Sequence, residues 1–205
     1  MKLAPLRVQH WFIFAGVAVI FFSWGAWLMR GSQTLEPLAW LQKWQTEIFN
    51  PLAADQLSLM RLSSEVEDDG ELWLQPRLDG SRLLYRSELQ ADDQVWSVEA
   101  RIALSNDELV SLMAAAGVDE KGEEQPLSAQ LVRQLGHYEV VYLSLKPLDA
   151  VTTEQIISSV GQPKLRLELK EGGQALVYPS LGLTVHTLDD DVDLLFAVPQ
   201  RMLTP

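Results

Sequence analysis

The 205-residue sequence contains no cysteine. That removes structural disulfides, thiolate zinc sites and thiol nucleophiles together. It also removes lipidation at an N-terminal cysteine. Histidine is nearly as scarce, with three residues, His10, His137 and His186. No glycine-rich phosphate loop, dinucleotide fingerprint or zinc-ligand spacing occurs, and no Gly-x-Ser-x-Gly nucleophile turn. Basic residues are few: 16 Lys and Arg stand against 28 Asp and Glu, a net charge of −12. The first thirty residues hold three basic and no acidic side chains, so residues 31–205 carry thirteen basic and 28 acidic ones, a net −15. Such a body repels polyanions, which excludes nucleic-acid binding.

What is present is one long apolar run, Trp11–Met29 (WFIFAGVAVIFFSWGAWLM). As a helix its nineteen residues would cover about 28 Å, close to the roughly 30 Å of a bilayer's hydrocarbon core. Lys2 and Arg7 precede it and no acidic residue occurs before Glu36. The positive-inside bias therefore predicts a cytoplasmic tail over 1–10, a single-pass inner-membrane helix over 11–29, and a periplasmic remainder. Trp11, Trp24 and Trp27 fit an interfacial aromatic belt, and Arg30 can snorkel at the far edge. A cleaved signal peptide has a shorter apolar core and small residues at its cut site, whereas this run ends in Trp27-Leu28-Met29-Arg30.

After the run, Leu35 to Asn50 reads as a helix, with Leu38, Leu41, Trp44 and Ile48 on one stripe. That stripe either packs on the following domain or forms an interaction surface at a bilayer or partner. Residues 31–64 are thus a juxtamembrane amphipathic helix and linker. A first αβ part is expected over 65–148. Leu72-Trp73-Leu74 is a strand, Asp79-Gly80 a hairpin turn and Arg82–Leu89 the return strand. Trp96, Val98, Ala100, Ile102 and Leu104 alternate with smaller or polar residues, which puts one face into a core. Ser105 and Glu108 form a capping box for a helix that Gly117 ends. A second short helix is expected over Pro126–Leu135, and Tyr138–Leu145 is strand-like.

Residues 149–199 read as a helix plus a four-stranded meander. Thr152 and Gln155 form a second capping box, and Gly161 and Pro163 stop the helix. Leu165, Leu167 and Leu169 alternate with Arg166, Glu168 and Lys170. Gly172-Gly173 turns into Ala175–Tyr178, Pro179-Ser180 turns again, and Leu183, Val185 and Thr187 follow. Beyond the acidic tip Asp189-Asp190-Asp191, Val192, Leu194, Phe196 and Val198 recur at every second position. No period of about twenty to fifty residues repeats. The predicted class is α+β: one N-terminal transmembrane helix, then an extracytoplasmic domain of antiparallel sheet plus short helices.

The order Thr152-x-x-Gln155, Val160-Gly161-Gln162-Pro163, Leu176-Val177-Tyr178 and Gly182-Leu183 resembles the BamE (SmpA/OmlA) type of envelope domain. The resemblance covers residues 150–199. It implies a helix leading into a small antiparallel sheet and a role in outer-membrane assembly without catalysis. That family carries a lipidated cysteine and is small and basic, which this chain does not match.

No catalytic or metal constellation stands out. His186 lies three residues before Asp189 in a strand. The aspartates 189, 190, 191 and 193 lack the glycine and closing glutamate of a calcium loop, and read as a polar hairpin tip. Asp119, Glu120, Glu123 and Glu124 read as a solvated loop. No cofactor is expected. The leading expectation is a membrane-anchored, non-catalytic accessory of an envelope assembly, transport or secretion complex. Its partners would be the lipid bilayer and an envelope protein. The alternatives are a tethered hydrolase using His137 or His186, or a module binding a lipid or small ligand.

Overall fold

The computed structural model describes residues 16–25, 36–66, 70–91, 93–119, 122–170 and 172–203. The chain divides into two units, Met1–Glu36 and Pro37–Pro205.

In the first unit, α1 covers residues 16–25. Residues 11–15 and 26–29 of the apolar run lie outside the described residues. Among the described residues no helix is long and apolar enough to cross a membrane. The expected membrane-spanning helix over 11–29 is therefore corrected. The single-pass, inner-membrane and periplasmic assignments that rested on it are corrected with it.

The second unit is α+β. It opens with α2 (Ala39–Trp44), a π-helical turn (Gln45–Phe49) and α3 (Asn50–Ala53). Pro51 explains the wide turn. It has no N–H for the carbonyl four residues back, and its ring crowds that position. There follow α4 (Leu59–Glu65), β1 (Glu71–Gln75), β2 (Arg82–Ala91) and β3 (Gln94–Ile102). Next come α5 (Asn106–Ala116), β4 (Gln125–Pro126), α6 (Gln130–Gln134) and β5 (Val140–Pro147). The chain continues with α7 (Thr153–Val160), β6 (Leu165–Glu168), β7 (Gln174–Tyr178), β8 (Leu183–Leu188) and β9 (Asp191–Ala197). Both capping boxes form as the sequence predicts, at Ser105/Glu108 and Thr152/Gln155. Gly117 ends α5 in the left-handed conformation at φ 68°. The helix expected over Pro126–Leu135 is shorter, because Gln125 and Pro126 form an edge strand instead.

The nine strands among the described residues form one antiparallel sheet in the order β4-β1-β2-β3-β5-β9-β8-β7-β6. One transverse row reads Leu72, Tyr85, Ala100, Leu143, Ala197, Leu183, Tyr178, and it is buried along its length. The apolar side chains of α2 to α4 and α7 close over this face. Trp40 meets Trp96 edge to face at 5.0 Å. The backbone N–H of Leu38 donates to Ser159 Oγ of α7 at 2.8 Å, tying the start of α2 to α7.

The sheet is two equivalent halves joined edge to edge. Each half is a helix followed by four antiparallel strands: α4, β1, β2, β3, β5 and then α7, β6, β7, β8, β9. Their last strands, β5 and β9, form the seam, with Leu143, Ser144 and Leu145 opposite Ala197, Phe196 and Leu195. The entry to each helix is bonded to the start of its last strand in the same way. Leu59 N–H donates to Tyr138 O at 2.9 Å and Val140 N–H to Leu57 O at 2.8 Å in the first half. Thr153 N–H donates to Asp190 O and Val192 N–H to Val151 O, each at 2.8 Å, in the second. The ladder between third and last strands slips at the same point, Arg101/Ile102 opposite Tyr142 and Val140, and His186/Thr187 opposite Leu194 and Val192. At one constant offset, residues 57–66 and 70–75 correspond to 151–160 and 164–169, and β5 corresponds to β9. The halves differ chiefly in residues 103–139, which carry α5, β4 and α6 between the third and last strands of the first half only.

Candidate functional site

The strand residues of the core project from one face of the sheet. The opposite face contributes none to that core and is left uncovered by α2 to α4 and α7, although Leu84, Ala175 and Thr184 on it are buried. Across its middle runs the row Glu71, Arg86, Glu99, Ser144, Phe196, Thr184, Val177, Leu165. The row changes chemistry at the seam between halves. Glu71, Arg86 and Glu99 lie on the first half. Phe196, Thr184, Val177 and Leu165 lie on the second, beside a neighbouring row of Leu194, His186, Ala175 and Leu167.

On the charged half, Arg86 is shared between two carboxylates. Arg86 Nε donates to Glu99 at 2.8 Å and its Nη1 to Glu124 at 2.7 Å. Its guanidinium also lies over the Trp73 ring, 5.3 Å from the centroid. The hydrogen bond from Arg86, then that from Gln75, lowers the Glu124 carboxyl below the usual range. Glu124 is therefore the ion-pair partner of β2, not a group left in a solvated loop.

The apolar half has no such pairing. The Phe196 ring stacks on Tyr142 at 6.3 Å and meets His186 edge-on at 5.2 Å. Leu165 and Leu167 are each 52% exposed. The slip at His186/Thr187 creates this arrangement. Val192 points into the core, but so do Leu195 and Ala197, and Leu194 and Phe196 turn outward. The simple alternation Val192, Leu194, Phe196, Val198 read from the sequence is thereby broken.

The chain matches no protein-family model, no curated protein and no solved structure. The site rests on its own geometry.

Of the residues singled out in the sequence, Trp11, Trp27 and Arg30 lie outside the described residues, and Trp24 is exposed in α1. Leu38, Leu41, Trp44 and Ile48 are all buried in the core, Leu41 and Ile48 completely. Their stripe packs on the sheet and offers no surface. His137 lies just before β5, against Tyr138 at 4.4 Å. His186 lies on the uncovered face towards the other end of the sheet, so the two do not converge. The tip aspartates shape a turn, with Asp189 and Asp190 at positive φ and the Asp190 carbonyl accepting from Thr153. Among the described residues no group of three or more His, Asp or Glu is placed to hold a metal ion.

An open cleft of about 420 Å³ lies at the end of the sheet beside Asp79, Arg82, Arg101 and Arg201. Arg82 and Arg201 are already paired there, with Asp79 at 2.9 Å and Asp55 at 2.7 Å. Sequence reasoning missed Tyr142, Phe196 and Val177 as surface groups. The only signal was an excess of apolar residues over what one buried face of β7 and β9 can accommodate.

Proposed function

We propose that this domain is a non-catalytic interaction module, an accessory component of a multi-protein assembly, that holds a partner protein on the apolar half of the uncovered sheet face. The observation that carries the reading is the change of chemistry along one row. Charged side chains with an Arg86–Glu99 ion pair line the first half, and Phe196, Val177 and Leu165 face outward on the second. Contiguous outward apolar surface on a well-packed domain marks an interaction site more often than chance placement does. Covering the remaining exposure of Leu165 and Leu167, each 52% exposed, would contribute roughly 2 kcal/mol together, at about half of 1.5–3 kcal/mol per side chain. The family that residues 150–199 resemble also acts without catalysis, which agrees with this reading.

The test is co-purification of the tagged chain from its source cells. Phe196→Asp should lose the co-purifying protein while keeping the far-ultraviolet spectrum and thermal unfolding of the parent. A partner retained in full by Phe196→Asp would refute this surface as the binding site.

A further inference from the structure

The two halves treat their outer strands differently. In the first, β1 is covered. Gln125 and Pro126 of β4 pair with Leu74 and Trp73, and Leu127 N–H donates to the Leu72 carbonyl at 2.7 Å. That covering strand comes from residues 103–139, which the second half lacks. The equivalent outer strand is β6, and among the described residues nothing pairs with its outer side. Leu72 corresponds to Arg166. The bond from Leu169 N–H to Gly173 O, 3.2 Å, sets the alternation of the ladder. Leu165 and Leu167 turn their backbone groups to β7, whereas Arg166 and Glu168 turn theirs outward, as Leu72 does to β4.

Charged side chains on an edge strand ordinarily discourage another strand. On β6 they do so selectively. A second β6, antiparallel and using these outward groups, can place Arg166 opposite Arg166, Glu168 opposite Glu168, or Arg166 opposite Glu168. The first two put like charges face to face. The third makes two Arg–Glu pairs on the helix-covered side, leaves the like-charged Lys164 and Lys170 to meet only beyond the four strand residues, sets Leu167 opposite Leu167, and merges the leucines at 165, 167 and 169 of both strands on the uncovered face.

We propose that β6 pairs with β6 of a second copy of this chain in that third register, joining two sheets into one and bringing the apolar half-faces of the copies side by side. The interface involves a four-residue strand from each copy, well under the roughly 1,000 Å² of a permanent complex, and the net charge of −12 per chain opposes it. The association is therefore weak and reversible. It is independent of the partner-binding reading, because its test measures self-association alone.

The absence of cysteine makes the register directly testable. Leu167→Cys introduces a single thiol. In the proposed pair it faces its own copy in a non-hydrogen-bonded position with Cα atoms about 4.5 Å apart, within disulfide range. With the full chain in a mild non-ionic detergent and a gentle oxidant, Leu167→Cys should form a covalent dimer at least about tenfold faster than Ser97→Cys on β3, a position far from the axis. In sedimentation experiments, Arg166→Glu and Glu168→Arg should each weaken the dimer by about tenfold or more. The double swap should restore it. Circular dichroism of each variant establishes that the fold is intact. A wild-type chain that stays monomeric at every concentration, equal cross-linking at Leu167 and Ser97, or a double swap that stays dissociated would each overturn the proposal.

Discussion

Glu108 serves α5 and the loop before β5 at once. Its carboxylate accepts from Ser105 N–H at 2.8 Å, from Ser105 Oγ at 2.7 Å and from the Tyr138 hydroxyl at 2.5 Å. The Tyr138 bond first, then the Ser105 bonds, lowers its pKa from 4.5 to about 2. A carboxylate held low in the folded state stabilises fully above its unfolded pKa, and that contribution is lost as pH falls through the folded value. The helix start should therefore weaken between about pH 4.5 and 2. Urea midpoints followed through that window should fall less steeply for Glu108→Gln than for the parent, and identical slopes would contradict the assignment. Ser159 is a second key residue. Its Oγ accepts from Leu38 N–H and donates to Gln155 O at 2.6 Å. Ser159→Ala strands a buried amide and should cost about 1–3 kcal/mol in chemical denaturation. The Ser105/Glu108 pairing was legible in the sequence because cap and acid are three residues apart. The role of Ser159 was not, because its partner lies 121 positions away.

At the scale of elements, periodicity decided well where a strand had one simple face. β3 buries Trp96, Val98, Ala100 and Ile102 as its alternation requires. It decided less well where a ladder slips or a strand sits at an edge. On β9 the slip swaps the inward set. On β6 the leucines face outward, and Arg166 shares the helix-covered side with Leu176. A period of two identifies the two faces but not which one is covered. The stripe of α2 and its π turn is where packing matters most. Trp44, 2% exposed, contacts both Trp40 and Phe49, and Trp44→Ala should cost about 3–5 kcal/mol by thermal or urea unfolding. The hairpin between β6 and β7 depends on Gly173 at φ 78°. A Cβ there would collide with the Thr187 carbonyl, so Gly173→Ala should loosen β6 and raise its amide exchange.

At the scale of the molecule, two halves share one sheet and one core. Their duplication was invisible in the sequence for two reasons. The equivalent positions keep backbone geometry more than burial or residue type, as at Leu72, which is buried, and Arg166, which is exposed. The segment 103–139 also breaks the spacing before the last strand of the first half. The charge balance and the strand-rich α+β character could be read directly from composition and patterning. Because the buried row crosses the β5–β9 seam without interruption, residues 37–203 should unfold as one cooperative unit. Leu195→Ala, in the second half, should therefore reduce amide protection of β2 and β3 as much as that of β7 and β8, whereas loss confined to its own half would show two independent units.

The claim that matters most is that the uncovered face works through its apolar half. A photo-reactive residue placed singly at Val177 or at Ser97 in intact cells compares the two halves of that face directly. The account predicts a discrete protein adduct from Val177 and none from Ser97. Adducts from Ser97 alone, or from neither position, would contradict it.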